Sequence, residues 1–381
     1  MSSTKANVHN WLSHPHNQWA FTHIDEILST AVVQKPQIPS NPQRGSLDLS
    51  GFKLDHGGDK IDFKTYLTET STDGLMIFQH GKVLYEEYFN GNTKESKHIL
   101  MSLTKSITGL LVGIVQSQGK LSVSDPVTKY VPEVSNTIWK DVTIQQCLDM
   151  RVGARYVDGQ HEYRAATGWN PKLGGEKYNT LKEFLAGFVP QEIIDDSFEY
   201  ISANTDLLGW ILERATGKSY PQTLQELLWQ PMGAESDALL TVDSEGFARA
   251  AGGLCATLPD VARIAQLILN DGKNADGTQI VPAEWIEDVL HGGSQDAWQR
   301  GRFAKAFNPF YESLAYRSCC YADENSEVIM GWGLFGQHFA VDKRNGIMLV
   351  TTASQKDALG FDKIGMTVGA FKEIQKILIS A

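Results

Sequence analysis

The sequence predicts an α+β fold: one antiparallel sheet flanked by helices, with a mostly helical segment inserted between its early and late strands. Three observations predict it. A β-prone hairpin pattern stands at residues 74–88, two further strand patterns at 335–341 and 347–352, and helical periodicity dominates from 121 to 245. On this reading residues 1–120 and 246–381 form the sheet domain and residues 121–245 the helical domain, and the cleft between them is the default binding site.

The stretch 34–62 is rich in Pro, Gly and polar residues and is expected to be irregular. In 74–88, two apolar runs flank His80-Gly81-Lys82, a hairpin signal. Residues 102–118 carry apolar side chains at 103, 107, 110, 111, 114 and 115, which is helical spacing, and Gly119 is a natural stop. Little of this helix is polar after its first turn, so it is expected to be buried. Helices are also predicted over 143–150, 180–188, 204–215, 220–229 and 262–270. A long irregular stretch, 291–327, is expected before the late strands, which meet at the turn 342–346. The closing helix, 361–379, sets Ile364, Val368, Phe371, Ile374 and Leu378 on one face.

Composition narrows the function. The chain has 381 residues, 42% hydrophobic and 21% charged, as in an ordinary globular protein rather than a disordered or fibrous one. Lys and Arg number 34 against 45 Asp and Glu, a net charge of -11, so nucleic acid is not expected as a partner. Cys147, Cys255, Cys319 and Cys320 form no CxxC pair and read as buried or idle thiols. Residues 1–16 lack the apolar core of a secretory signal, and no run of eighteen apolar residues occurs, so a cytoplasmic protein without a membrane partner is expected.

Several motifs are discarded on context. Thr216-Gly-Lys-Ser219 ends like a phosphate loop, but Leu212 stands where the first glycine belongs. Gly331 to Gly336 spells GxGxxG, yet it leads into a strand and no helix follows to receive a pyrophosphate. GxSxG and HExxH are absent, and the ten histidines lack ligand spacing. No cofactor and no metal are expected.

Ser102-Leu-Thr-Lys105 remains. The string SxxK is cheap, since Ser2 to Lys5 also matches it and reads as tail. At Ser102, however, it opens a hydrophobic helix just after a hairpin, so serine and lysine share one face. A serine hydroxyl is a poor nucleophile until a base takes its proton. Burial and the positive helix end both disfavour an ammonium at Lys105, which suits it to that task. The Ser102 N–H at that helix end is a candidate oxyanion donor. The competing reading is a helix-capping serine beside a solvated lysine.

A second feature is Phe198-Glu-Tyr200-Ile-Ser202-Ala-Asn204, a tyrosine in a short loop before a helix, with Leu207-Leu208-Gly209 following. With Ser102 and Lys105 this resembles the serine β-lactamase and penicillin-binding-protein superfamily. The likeness is closer to its class C branch, with family VIII esterases and 6-aminohexanoate-dimer hydrolases. Segments 102–113, 125–132, 142–153 and 252–260 read as landmarks in the family's order, over about residues 70–380. The Tyr-x-Asn motif departs here, with Ser202 in the Asn place, as in the nylon oligomer hydrolases. The third motif, Lys-Thr-Gly or His-x-Gly, is matched by Gly331-Trp332-Gly333, without its cation.

The resemblance implies a β-lactamase/transpeptidase-like fold and a serine hydrolase acting on small carboxylic esters or short amides. Ser102 is then the nucleophile, Lys105 and Tyr200 move its proton, and the backbone N–H groups of Ser102 and Leu334 hold the oxyanion. The ordinary pKa values of lysine and tyrosine, roughly 10.4 and 10, lie close enough for a shared proton. Tyr163, Ser202, Trp332 and Gly333 are the expected substrate-binding residues, and 291–327 is a candidate lid. Loss of the third-motif cation removes a partner for a substrate carboxylate. The alternatives are a β-lactamase or D-alanyl-D-alanine carboxypeptidase, and a non-catalytic ligand-binding relative.

Overall fold

The computed structural model describes residues 5–38, 42–157 and 159–380. Its main sheet has seven strands, all antiparallel to their neighbours. Their spatial order is Leu314–Arg317, Cys320–Asp323, Val328–Gly333, Gln337–Asp342, Ile347–Ala353, Thr72–Gln79, Lys82–Tyr88. The early hairpin therefore joins the late strands through Ile347–Ala353, in a register that sets Leu349 opposite Ile77.

Alternation along the strands explains how both sheet faces are covered. Leu75, Ile77, Met330, Ala340, Ile347 and Leu349 pack with Met366, Phe371 and Ile374 of the closing helix, Phe361–Ser380. Met76, Phe78, Ile329, Phe339, Met348 and Val350 face the other way, onto Leu103–Ser117 and Leu258–Leu269. Each fully buried aliphatic or aromatic side chain contributes roughly 1.5–3 kcal/mol. The Leu103–Ser117 helix is buried from Leu103 through Val115, as its apolar sequence predicts. Glycine lets it approach so closely: a Cβ on Gly109 would stand 2.2 Å from the Ser318 carbonyl oxygen.

A smaller antiparallel sheet orders Thr30–Val33, Ala238–Thr241, Leu254–Ala256 and His98–Ile99. Its last strand delivers the chain to Ser102. Segment 121–245 holds the helices Ile144–Leu148, His161–Ala166, Leu181–Ala186, Ser202–Thr216 and Tyr220–Leu224. One hydrophobic cluster runs from Leu110 through Leu207 to Trp229.

Two stretches expected to be irregular contain regular elements among their described residues. Within 34–62 a small hairpin, Leu54–His56 with Asp59–Ile61, turns on Gly57 and Gly58, both at positive φ. Within 291–327 lie the helices Gln295–Arg300 and Ala304–Phe307 and the hairpin Leu314–Arg317 with Cys320–Asp323. That hairpin turns on Ser318 and Cys319, at φ 48° and 65°, so it lacks the glycine or asparagine that marks such a turn in sequence. Backbone donation from Ser318 N–H to Asp149 Oδ1 (2.9 Å) and from Cys319 N–H to the Leu148 carbonyl (3.0 Å) holds it.

Candidate active site

Ser102 stands at the N-terminus of the Leu103–Ser117 helix, immediately after Met101, a non-glycine residue at φ 49°. Such a backbone persists only where surroundings over-determine it. Here Leu100 N–H donates to the Leu254 carbonyl (2.8 Å) and Thr104 N–H to the Met101 carbonyl (3.0 Å). Ser102 Oγ makes no capping bond to the helix. Instead, Lys105 Nζ donates to Ser102 Oγ (2.9 Å) and to the Ala251 carbonyl (2.7 Å). Lys105 is 1% exposed, so the picture of a capping serine beside a solvated lysine does not describe this pair.

Lys105 Nζ also lies 4.9 Å from the centroid of the Tyr200 ring. Beneath it, Asp206 Oδ1 accepts from Ala251 N–H (2.8 Å) and Oδ2 from the Tyr163 hydroxyl (2.5 Å). Burial pushes the Asp206 carboxyl up, against the opposing pull of Arg249. Asp206 thereby fixes Ala251, whose carbonyl in turn orients the lysine.

These residues open onto a cleft of about 270 Å³ lined by Ser102, Tyr200, Ser202, Trp332, Gly333 and Leu334, among others. Gly333 is required by a close approach: a Cβ there would lie 2.4 Å from the Leu100 carbonyl oxygen. This contact brings the end of the Val328–Gly333 strand against the segment leading into Ser102. The GxGxxG string thus serves packing; Gly331 likewise lies under Leu103 and Phe339.

Tyr163 is the expectation that the structure corrects. It is fully buried, bonded to Asp206 and stacked on Phe184 at 4.9 Å between centroids, and it is not among the described residues lining the cleft. Aromatic walls come instead from Trp169, Phe303, Phe307 and Tyr321. Phe303 and Phe307 lie in the stretch read as irregular, where the helical signal is a single short turn.

Sequence reasoning also missed three arginines on the cleft wall, Arg164, Arg249 and Arg302. The available signal was Phe247-Ala-Arg249-Ala-Ala-Gly252, a cation among small apolar residues, which marks a buried charge. Cys147, Cys255, Cys319 and Cys320 are buried free thiols, and burial pushes all four up. Among the described residues, no group of three or more His, Cys, Asp or Glu is placed to hold a metal ion, and no helix is long and apolar enough to cross a membrane. The second SxxK string begins at Ser2, outside the described residues.

Comparison with known proteins places this geometry in context. The family profile described as Beta-lactamase matches residues 63–365. The chain is 34% identical over 378 residues to the 6-aminohexanoate-dimer hydrolase of Paenarthrobacter ureafaciens, covering 97% of this chain and 93% of that one. It is 26% identical over 225 residues to esterase EstB of Burkholderia gladioli, covering 53% and 57%. Among solved structures, a candidate 6-aminohexanoate-dimer hydrolase from Bacillus anthracis superposes with a TM-score of 0.87 at 24% identity, over 98% of both chains. At that identity the likeness concerns the fold.

Proposed function

The chain belongs to the beta-lactamase family and is a serine hydrolase, and we propose that it cleaves small esters or short amides through an acyl-enzyme on Ser102. The observation that carries this reading is the 2.9 Å contact between the buried Lys105 Nζ and Ser102 Oγ at the floor of the cleft.

In this mechanism Ser102 Oγ attacks the acyl carbon and its proton passes to the Lys105–Tyr200 pair. With its ammonium deprotonated, Lys105 presents its lone pair to the serine hydroxyl, while the Ala251 carbonyl keeps the amine in place. The backbone N–H groups of Ser102 and Leu334 receive the oxyanion; the Gly333–Leu100 approach supports that placement. Tyr200 returns the proton to the leaving group, and water then releases the acyl chain. Ser202, Trp332 and Gly333 bound the substrate. The 34% identical relative, named for the 6-aminohexanoate dimer, supports linear amides as one substrate class. Four buried thiols support a reducing, cytoplasmic setting.

Ser102→Ala is expected to abolish turnover of p-nitrophenyl esters and labelling by a fluorophosphonate, and labelling that persists refutes the nucleophile assignment. Assaying those esters beside nitrocefin and an aminohexanoate dimer separates this reading from a β-lactamase. Nitrocefin turnover without esterase or amidase activity overturns it.

A further inference from the structure

The cleft carries charge of one sign. In a chain of net charge -11, the described residues lining it include Arg164, Arg249 and Arg302 and neither Asp nor Glu. Asp158, between the lining residues Val157 and Gly159, lies outside the described residues. Arg302 is committed to Glu199, with Nε 3.0 Å from Oε1. Arg249 is held differently. It is 6% exposed, and its guanidinium carbon sits 4.2 Å from the Trp169 ring centroid and 4.8 Å from that of Tyr163. Two aromatic rings thus lie against the guanidinium of a residue that lines the cleft.

The guanidinium is short of acceptors. Among the described residues, the buried Arg249 Nε and Nη1, which lie on different edges of the group, have no hydrogen-bond partner. The nearby Asp206 Oδ2 is 3.8 Å from Nη1, beyond hydrogen-bond reach, and already accepts from the Tyr163 hydroxyl. A buried guanidinium with unused donors costs free energy unless something completes it. A carboxylate is the group whose charge and acceptor oxygens suit guanidinium donors.

We propose that Arg249 is a specificity-determining residue that receives a carboxylate of the substrate, so that the preferred substrates are esters or amides bearing an anionic group. The inference rests on the serine-hydrolase reading and deepens it. The family's third motif has lost its cation here, and Arg249 supplies one from another part of the chain. The rest of the wall, Phe303, Phe307, Tyr321 and Trp332, suits an uncharged chain or ring. An N-acyl amino acid or a dicarboxylic acid mono-ester has both features.

The test uses two isosteric pairs. Mono-4-nitrophenyl glutarate is compared with 4-nitrophenyl pentanoate, which places the carboxylate on the acyl side. The butyryl ester of 4-hydroxybenzoate is compared with that of 4-hydroxybenzamide, which places it on the leaving group. Wild type is expected to favour the anionic member of at least one pair by tenfold or more in kcat/KM. Arg249→Gln is expected to cut that ratio at least tenfold, and Arg249→Lys to restore part of it. A wild-type ratio under twofold in both pairs, or a ratio unchanged in Arg249→Gln, overturns the proposal. Should Arg249→Gln fail to fold, the wild-type ratios decide. Should wild type turn over no ester, the hydrolase reading fails and this one is still read by calorimetry: Ser102→Ala is expected to bind glutarate at least tenfold more tightly than glutaramide, and equal binding refutes it.

Discussion

Ser102 and Lys105 stand three residues apart at the start of one helix, so helical geometry by itself puts their side chains on one face, within reach of each other. Gly333 and Leu334 border the same cleft from the end of a strand far along the chain, and what seats them is an approach to the Leu100 backbone that no local pattern encodes. The first half of the site is built by sequence spacing, the second by sheet register and a missing side chain. The difference teaches where each half is vulnerable. Chemical substitution disables the first, whereas steric or packing changes displace the second.

The sharpest way to break the comparison is at the helix. Lys105→Met is expected to lower kcat about 10²–10⁴-fold, the usual weight of a positioned proton acceptor. Thermal unfolding measured alongside should show a folded protein. Near-normal kcat in this variant would remove the lysine from the mechanism. The strand half is probed by pH. His338 lies on Gln337–Asp342 against Trp332, with Nδ1–H donating to the Gly331 carbonyl (2.8 Å), and burial lowers its pKa to about 4. The folded state therefore refuses a proton that the unfolded chain takes up near pH 6.5. The stability involved is fully present above that pH and is lost as pH falls toward 4, amounting to about 2–3 kcal/mol. Denaturant unfolding of wild type and His338→Asn across pH 4–7 checks this: the variant should lose that part of the slope, and parallel curves would show that His338 does not carry it.

The same division explains what was legible in the sequence. The hairpin at His80-Gly81, the helix from Leu103 and the closing helix each announce themselves by turn residues or periodicity, and all three are present. The Ser318–Cys319 hairpin was hidden because its left-handed turn uses neither glycine nor asparagine. The strands Thr30–Val33 and His98–Ile99 are too short to show alternation, and only long-range pairing makes them strands. In the candidate site, Ser102, Lys105 and Tyr200 stand in short motifs that the sequence displays, and the structure brings them to one place. For Arg249 the local sequence signals a buried charge but not its place on the wall, which depends on Trp169 and Tyr163 from another segment.

Two smaller effects sharpen the contrast. A Gly333→Ala Cβ would press on backbone at Leu100, which cannot rotate away, so it is expected to cost about 1–3 kcal/mol of stability. It should also lower kcat by about tenfold, less than the 10²–10³ of an oxyanion donor removed outright. In Gly331→Ala the nearest atoms are the Leu103 side-chain tip and the Phe339 ring, which can shift, so its kcat should fall less. Equal losses in the two variants would mean that the Leu100 approach does not seat the proposed oxyanion donor, the Leu334 N–H.

The smallest effect on catalysis is expected at Tyr163, whose hydroxyl reaches Asp206 from within the core. Tyr163→Phe keeps the ring that covers Arg249 but deprives a buried carboxylate of a donor, which costs about 1–2 kcal/mol of stability. Asp206 still accepts from Ala251 N–H, so the carbonyl that orients Lys105 stays in place and KM should change by no more than about twofold. A lowered melting temperature with an unchanged KM identifies a support beneath the site. A raised KM with an unchanged melting temperature would instead put Tyr163 against the substrate, and would require the ring to leave its stack on Phe184 when ligand binds.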